Sequence, residues 1–139
     1  WQRLEKSASE REWFDLMPRC EKEEVPGRLS KAHIGVIPLP DKYQWRFSSP
    51  LKLFEYAAAG LNVIATDIPC HAAIGSRSWL ILVSEKNASR SISEAIEGII
   101  DSGDWEERSN FAREDALAEF SWDRSVESLH GLCQEVISN

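Results

Sequence analysis

The sequence is short of several things at once, and each shortage narrows what the chain can be. It has three cysteines in 139 residues, Cys20, Cys70 and Cys133. An odd number spaced this far apart cannot form a complete disulfide framework, so a reducing compartment and a cytoplasmic location are expected. No apolar run approaches the roughly 18 residues of a spanning helix. The opening Trp1-Gln-Arg-Leu-Glu-Lys has no apolar core of the kind a signal peptide needs. Also missing are a G-x-S-x-G elbow, a phosphate-binding P-loop and a G-x-G-x-x-G turn. Cys20, His33, Cys70 and His71 could be imagined around zinc, but no C-x-x-C pair and no H-x-x-x-H spacing supports it, so no metal site is expected.

What the chain does have is 23 acidic against 16 basic side chains, a net charge of −7, 42% hydrophobic residues and six tryptophans. That describes one folded, acidic domain with a real core, and it disfavours a general nucleic-acid binder. The charge is uneven. From Arg28 to Lys52 the balance is +4, from Arg28, Lys31, Lys42, Arg46 and Lys52 against Asp41, while everything else sums to −11. Such an island is either a local anion site or a loop solvated by a few cations.

Periodicity supplies the fold class. Ile34-Gly-Val-Ile37, Asn62-Val-Ile-Ala-Thr66 and Trp79-Leu-Ile-Leu-Val83 are short, β-branched and continuous, as buried parallel strands are. Trp13 to Met17 is a weaker strand candidate ending at Pro18. Glu21 to Ser30 predicts a short helix with Pro26 in its first turn, Pro38 to Pro50 a loop, and Leu51 to Ala59 a helix stopped by Gly60. Ile92, Ala95, Ile96, Ile99 and Ile100 form one apolar stripe, with Asn87 or Ser89 as N-cap. Asp104 with Glu107 predicts a capping box before a helix through Ala112, Ala116 and Phe120. Ser121 can cap a last helix whose Trp122, Val126, Leu129, Cys133, Val136 and Ile137 share a face. All three stripes are expected in the core. The class is α/β, a Rossmann-like parallel sheet with flanking helices, and ligands of such sheets sit beyond the strand C-termini.

The basic island falls at that edge. If a helix starts near Pro50, its free first-turn N–H groups and positive dipole end can hold a phosphate. Lys52 and Glu55 then project from one side, with Leu51, Phe54 and Ala58 expected against the sheet. A carboxylate beside a phosphate site can accept hydrogen bonds from sugar hydroxyls. The plainer alternative is an intrahelical Lys52–Glu55 pair worth a few tenths of a kcal/mol. Tyr43 and Trp45 could stack on a base or sugar, or pack beneath the loop.

Pro50-Leu-Lys-Leu-Phe-Glu-Tyr-Ala-Ala-Ala-Gly-Leu-Asn-Val-Ile-Ala-Thr-Asp67 closely resembles the signature of the C-terminal, donor-binding domain of GT-B glycosyltransferases of the family-4 type. Leu29 to Pro38 resembles the segment these enzymes place before it, and Phe120-Ser-Trp122 their motif ahead of the last helix. The likeness runs from about Phe14 onward. It implies retaining, metal-independent glycosyl transfer from a nucleoside-diphosphate sugar, with no cofactor. In that family a Glu-x7-Glu pair contacts the donor. Glu55 matches the second position, which takes the ribose hydroxyls, whereas Phe47 stands where the sugar-facing acid would be. Relatives with the Lys-Leu-Phe-Glu-Tyr variant also often lack that acid. Ser48, Ser49, Pro50 and Leu51 correspond to the backbone lining of the diphosphate, Pro50 having no N–H to give, and Lys52 and Arg46 add charge by proximity. Asn62 replaces a frequent proline.

The resemblance also implies missing parts. A complete domain of this type starts with two further strand and helix units and follows an acceptor-binding domain. The chain is therefore expected to be a C-terminal fragment or a half-domain working with a second polypeptide, inactive alone. A full-length enzyme of this type is compatible with peripheral membrane association. The competing reading is a non-catalytic nucleotide-binding or interaction module, and a third keeps the fold as a sugar-nucleotide epimerase.

Overall fold

A computed structural model describes residues 2–138. Its centre is a three-stranded parallel sheet in the order β1-β2-β3, with β1 Ile34–Ile37, β2 Asn62–Thr66 and β3 Leu80–Val83. Ile34 pairs with Asn62 and Val63 with Leu80, which sets the register across the sheet. All five residues of β2 are buried. Alternation sends Val63 and Ala65 to one face, in a core with Leu53, Ala57, Trp79, Ala112 and Ala116. Ile64 faces the other way, with Val83 and Ile99. Helices α4 (Leu51–Ala58) and α7 (Trp105–Glu119) therefore cover one face and α6 (Ala88–Ser102) the other. The continuous apolar strands follow from that double cover. The remaining helices are α1 (Gln2–Ser9), α2 (Val25–Leu29), α3 (Tyr43–Arg46), α5 (Pro69–Ala72) and α8 (Trp122–Ser138). Among the described residues, no helix is long and apolar enough to cross a membrane.

Two junctions hold the layers in place. Helix α4 ends at Gly60, whose φ of +77° lets Gly60 N–H reach Ala57 and Leu61 N–H reach Tyr56, both carbonyls of the last turn. The Ser109 hydroxyl donates to the Gly60 carbonyl and ties this turn to α7. At the other junction, Arg77 donates to both Glu119 oxygens at 2.9 and 2.6 Å, and Trp79 Nε1 donates to Asp115 at 2.7 Å. The Arg77 guanidinium holds the Glu119 carboxyl below its usual range.

Several sequence expectations are corrected. Trp13 to Met17 is irregular chain, not a strand, and Trp13 is 82% exposed. The segment from Pro38 to Pro50 contains the single turn α3, closed by Arg46 N–H to the Lys42 carbonyl. Helix α4 presents Leu53 and Ala57 to the sheet with Phe54 partly buried, whereas Leu51 and Ala58 are exposed. Pro50 lies outside the helix, with ψ of 60°. Asn87 is the residue before α6 but makes no side-chain cap, and Ile100 of its stripe is exposed. Asp104 precedes α7 without forming a capping box; its carboxylate takes the Ser102 hydroxyl and Arg108 instead, which lower its pKa in that order. Ser121 does cap α8 through the Arg124 N–H.

The largest departure is α8 itself. Trp122, Val126, Leu129, Val136 and Ile137 are 61–84% exposed and Cys133 is exposed too, so this stripe lies outside the core. Periodicity identified an amphipathic face correctly, but amphipathicity does not state what covers it.

Candidate functional site

Parallel pairing puts the C-terminal ends of all three strands on one edge, and two side chains organise it. Thr66, the last residue of β2, donates its hydroxyl to the Leu39 carbonyl at 2.6 Å, pinning the chain that leaves β1. Its own carbonyl accepts from His71 Nδ1 at 2.7 Å. The Pro69 ring suits the first turn of α5, which places Cys70 and His71 inward. A carbonyl can only accept, so Nδ1 carries a proton, and a ring with a single proton then keeps its lone pair on Nε2. His71 is completely buried, and Nε2 has no partner among the described residues.

Above this floor lies a cleft of about 250 Å³ lined by Trp45, Ser48, Ser49, Pro50, Lys52 and His71, among others. It is the start of α4. The Ser48 N–H is given to Trp45 and the Leu51 N–H to Ser49, so of the backbone positions expected to line a diphosphate two are already used. The N–H groups of Ser49 and Lys52 have no acceptor among the described residues. The Ser48 hydroxyl donates to the Trp45 carbonyl at 3.0 Å.

The basic island resolves into paired and free charge. Arg46 donates twice to Asp41, at 2.7 and 2.8 Å, which keeps the Asp41 carboxyl low and spends the arginine on its own turn. Arg28 lies 3.9 Å from Glu24 and donates to the Pro18 carbonyl. Lys52 lines the cleft. Phe47 is 77% exposed and packs edge-on against Tyr43, with ring centroids 5.4 Å apart.

Glu55 faces elsewhere. It lines a second, larger cleft of about 500 Å³ between α2 and α4, with Lys22, Pro26, Ser30 and Arg113. No ion pair joins Lys52 to Glu55 among the described residues, although they are three residues apart in one helix. Three residues on, the helix has rotated by about 60° from full register, enough to send the two side chains into different clefts. Along α4 the first-turn amides and Lys52 thus come first and the Glu55 carboxylate follows roughly one turn on. This order suits a ligand with an anionic end and a hydroxyl-bearing end.

Sequence reasoning passed over His71 and Arg113. The sequence suggests His71 only as an imagined zinc ligand, and no group of three or more metal-ligating side chains occurs among the described residues. Its visible signal was a polar residue two places after Pro69, directly behind a buried strand. The chain matches no family model, no curated protein and no solved structure.

Proposed function

We propose that this chain is the C-terminal half of a Rossmann-like donor domain and holds a nucleoside-diphosphate sugar for glycosyl transfer. The observation that carries the reading is the order of groups along α4: unpaired N–H donors of Ser49 and Lys52, then the Lys52 ammonium, then an unpaired Glu55 carboxylate one turn on, each lining a cleft. The diphosphate lies at the helix start, where N–H groups and the dipole favour negative charge. The ribose lies toward α2, where Glu55 accepts its hydroxyls. In transfer, the same donors stabilise the charge that grows on the departing diphosphate as the bond to the sugar breaks.

In this reading an acceptor-binding domain, in cis or in trans, completes the enzyme, and the chain alone turns nothing over. Arg46 has no direct part, because Asp41 neutralises it. A second reading, an interaction module, is favoured by one observation, the exposed apolar stripe of α8. Thermal unfolding with UDP, GDP and ADP separates the two. A bound nucleotide at about one hundred times its Kd stabilises by about 2.7 kcal/mol. A raised Tm with one nucleotide supports the donor-domain reading, and unchanged Tm with all three favours the module.

A further inference from the structure

We propose that His71 is a ligand-contacting residue of the α4 cleft, accepting through Nε2 a hydrogen bond from a hydroxyl next to a bound phosphate. The ligand class is a phosphate ester of a polyol or sugar. This deepens the donor-site reading above and rests on its phosphate half, but it requires no nucleoside. Three observations carry it. The ring is fully buried, lines the cleft at the start of α4, and has its tautomer set by Nδ1–H donating to the Thr66 carbonyl at 2.7 Å. Nε2 is then a buried acceptor without a donor among the described residues. Leaving such an atom unpaired costs free energy, which binding can recover. Its neighbours in the cleft, the Ser49 and Lys52 N–H groups and the Lys52 ammonium, are all donors and suit phosphate oxygens.

A molecule that fits this set carries acceptor oxygens at one end and a donating O–H beside them. An oxyanion without an O–H, such as sulfate, satisfies the amides and leaves Nε2 unpaired. A glycosyl phosphate satisfies both, because its sugar hydroxyls adjoin the ester linkage. The floor histidine thereby favours sugar phosphates over an oxyanion that has no O–H to give. It supplies an acceptor to the sugar in a cleft whose neighbouring Phe47 has none to offer.

The test uses the full chain labelled with ¹⁵N at histidine, with His33→Gln and His130→Gln to assign the His71 signals. Without ligand, the pattern of the Nδ1-protonated tautomer is expected. Titration with glucose, galactose and mannose 1-phosphates should move the Nε2 resonance for at least one sugar, and sulfate at equal concentration should not. A His71→Asn variant, checked for a native spectrum, should bind that sugar phosphate about tenfold more weakly while binding sulfate unchanged. The proposal is overturned if the ring is the other tautomer, if no sugar phosphate moves Nε2, or if sulfate moves it equally. It is overturned as well if a folded His71→Asn loses no sugar-phosphate affinity. Failure of UDP, GDP and ADP to bind, with the sugar-phosphate response intact, would instead refute the nucleoside half of the site.

Discussion

Gly35 in the middle of β1 offers the sharpest test of the packing that supports the site. A methyl group built on its Cα falls 2.3 Å from Cδ2 of Tyr56 and 2.8 Å from two more ring atoms. Ordinary carbon contacts are about 3.5 Å or more, so Gly35→Ala forces the ring back by about 1.2 Å. Tyr56 is in α4, next to Glu55, and packs on the core, so the displacement is transmitted to the helix that carries the site. Overpacking of this kind costs about 1–3 kcal/mol, and the stiffer alanine chain returns about 0.4–1 kcal/mol through the unfolded state. The net expectation is a loss of about 1–2 kcal/mol, or a Tm lower by about 3–8 °C for a chain of this length. Thermal and urea unfolding of the wild type, Gly35→Ala, Tyr56→Ala and the double variant form a cycle. The alanine at 35 should cost almost nothing when Tyr56 is already truncated, a coupling of at least about 1 kcal/mol. If Gly35→Ala is neutral in the wild type, or equally costly in both backgrounds, Tyr56 is not the obstacle and the reasoning fails.

Other perturbations follow from the same contacts. Leu53→Ala empties a fully buried position between α4 and the sheet and should cost about 2–5 kcal/mol in urea unfolding, whereas Leu51→Ala, on an exposed position, should fall within about 0.5 kcal/mol of wild type. Gly60→Ala puts a side chain at φ +77° with its Cβ 3.0 Å from the Ser109 hydroxyl, for an expected loss of about 1–2 kcal/mol by the same assay. The Glu119 pKa is depressed by Arg77, so its contribution to stability is present above the ordinary value of 4.5 and disappears as pH falls below it through the lowered folded value. A Tm profile from neutral to acid pH should therefore drop less steeply in that window for Arg77→Met than for wild type. Equal slopes would remove the pair from the account.

The strands were legible because their evidence is local: β-branched runs bounded by prolines, glycine and polar turns, reproduced at Ile34–Ile37 and Asn62–Thr66 without a residue's shift. The start of α4 was legible from Pro50 and its end from Gly60. Which face of α4 turns inward was not, because Leu51, Leu53, Phe54, Tyr56, Ala57 and Ala58 leave the helix apolar around much of its circumference, and the layers packed against it select Leu53 and Ala57. Lys52 and Glu55 read as one constellation and stand over two clefts. The Arg46 charge was visible in the sequence, but its bidentate partner Asp41 depends on the single turn of α3 between them. His71 depends still more on tertiary structure, since its partner is a backbone carbonyl five residues back, at the end of a strand. The α8 stripe shows the limit of periodicity from the other side: the pattern is that of a core helix, and the face is open.

The most direct test of the central claim is calorimetric titration of the wild type and Glu55→Ala with UDP, GDP and ADP. Glu55 is exposed and makes no ion pair among the described residues, so its loss should leave Tm without ligand nearly unchanged. A carboxylate accepting ribose hydroxyls is worth about 1.5–3 kcal/mol. At about 1.4 kcal/mol per decade, at least one nucleotide should bind the wild type and bind Glu55→Ala about ten- to a hundredfold more weakly. Equal affinity for both proteins, or no binding of any nucleotide to the wild type, would contradict the claim that α4 carries a nucleoside-diphosphate site.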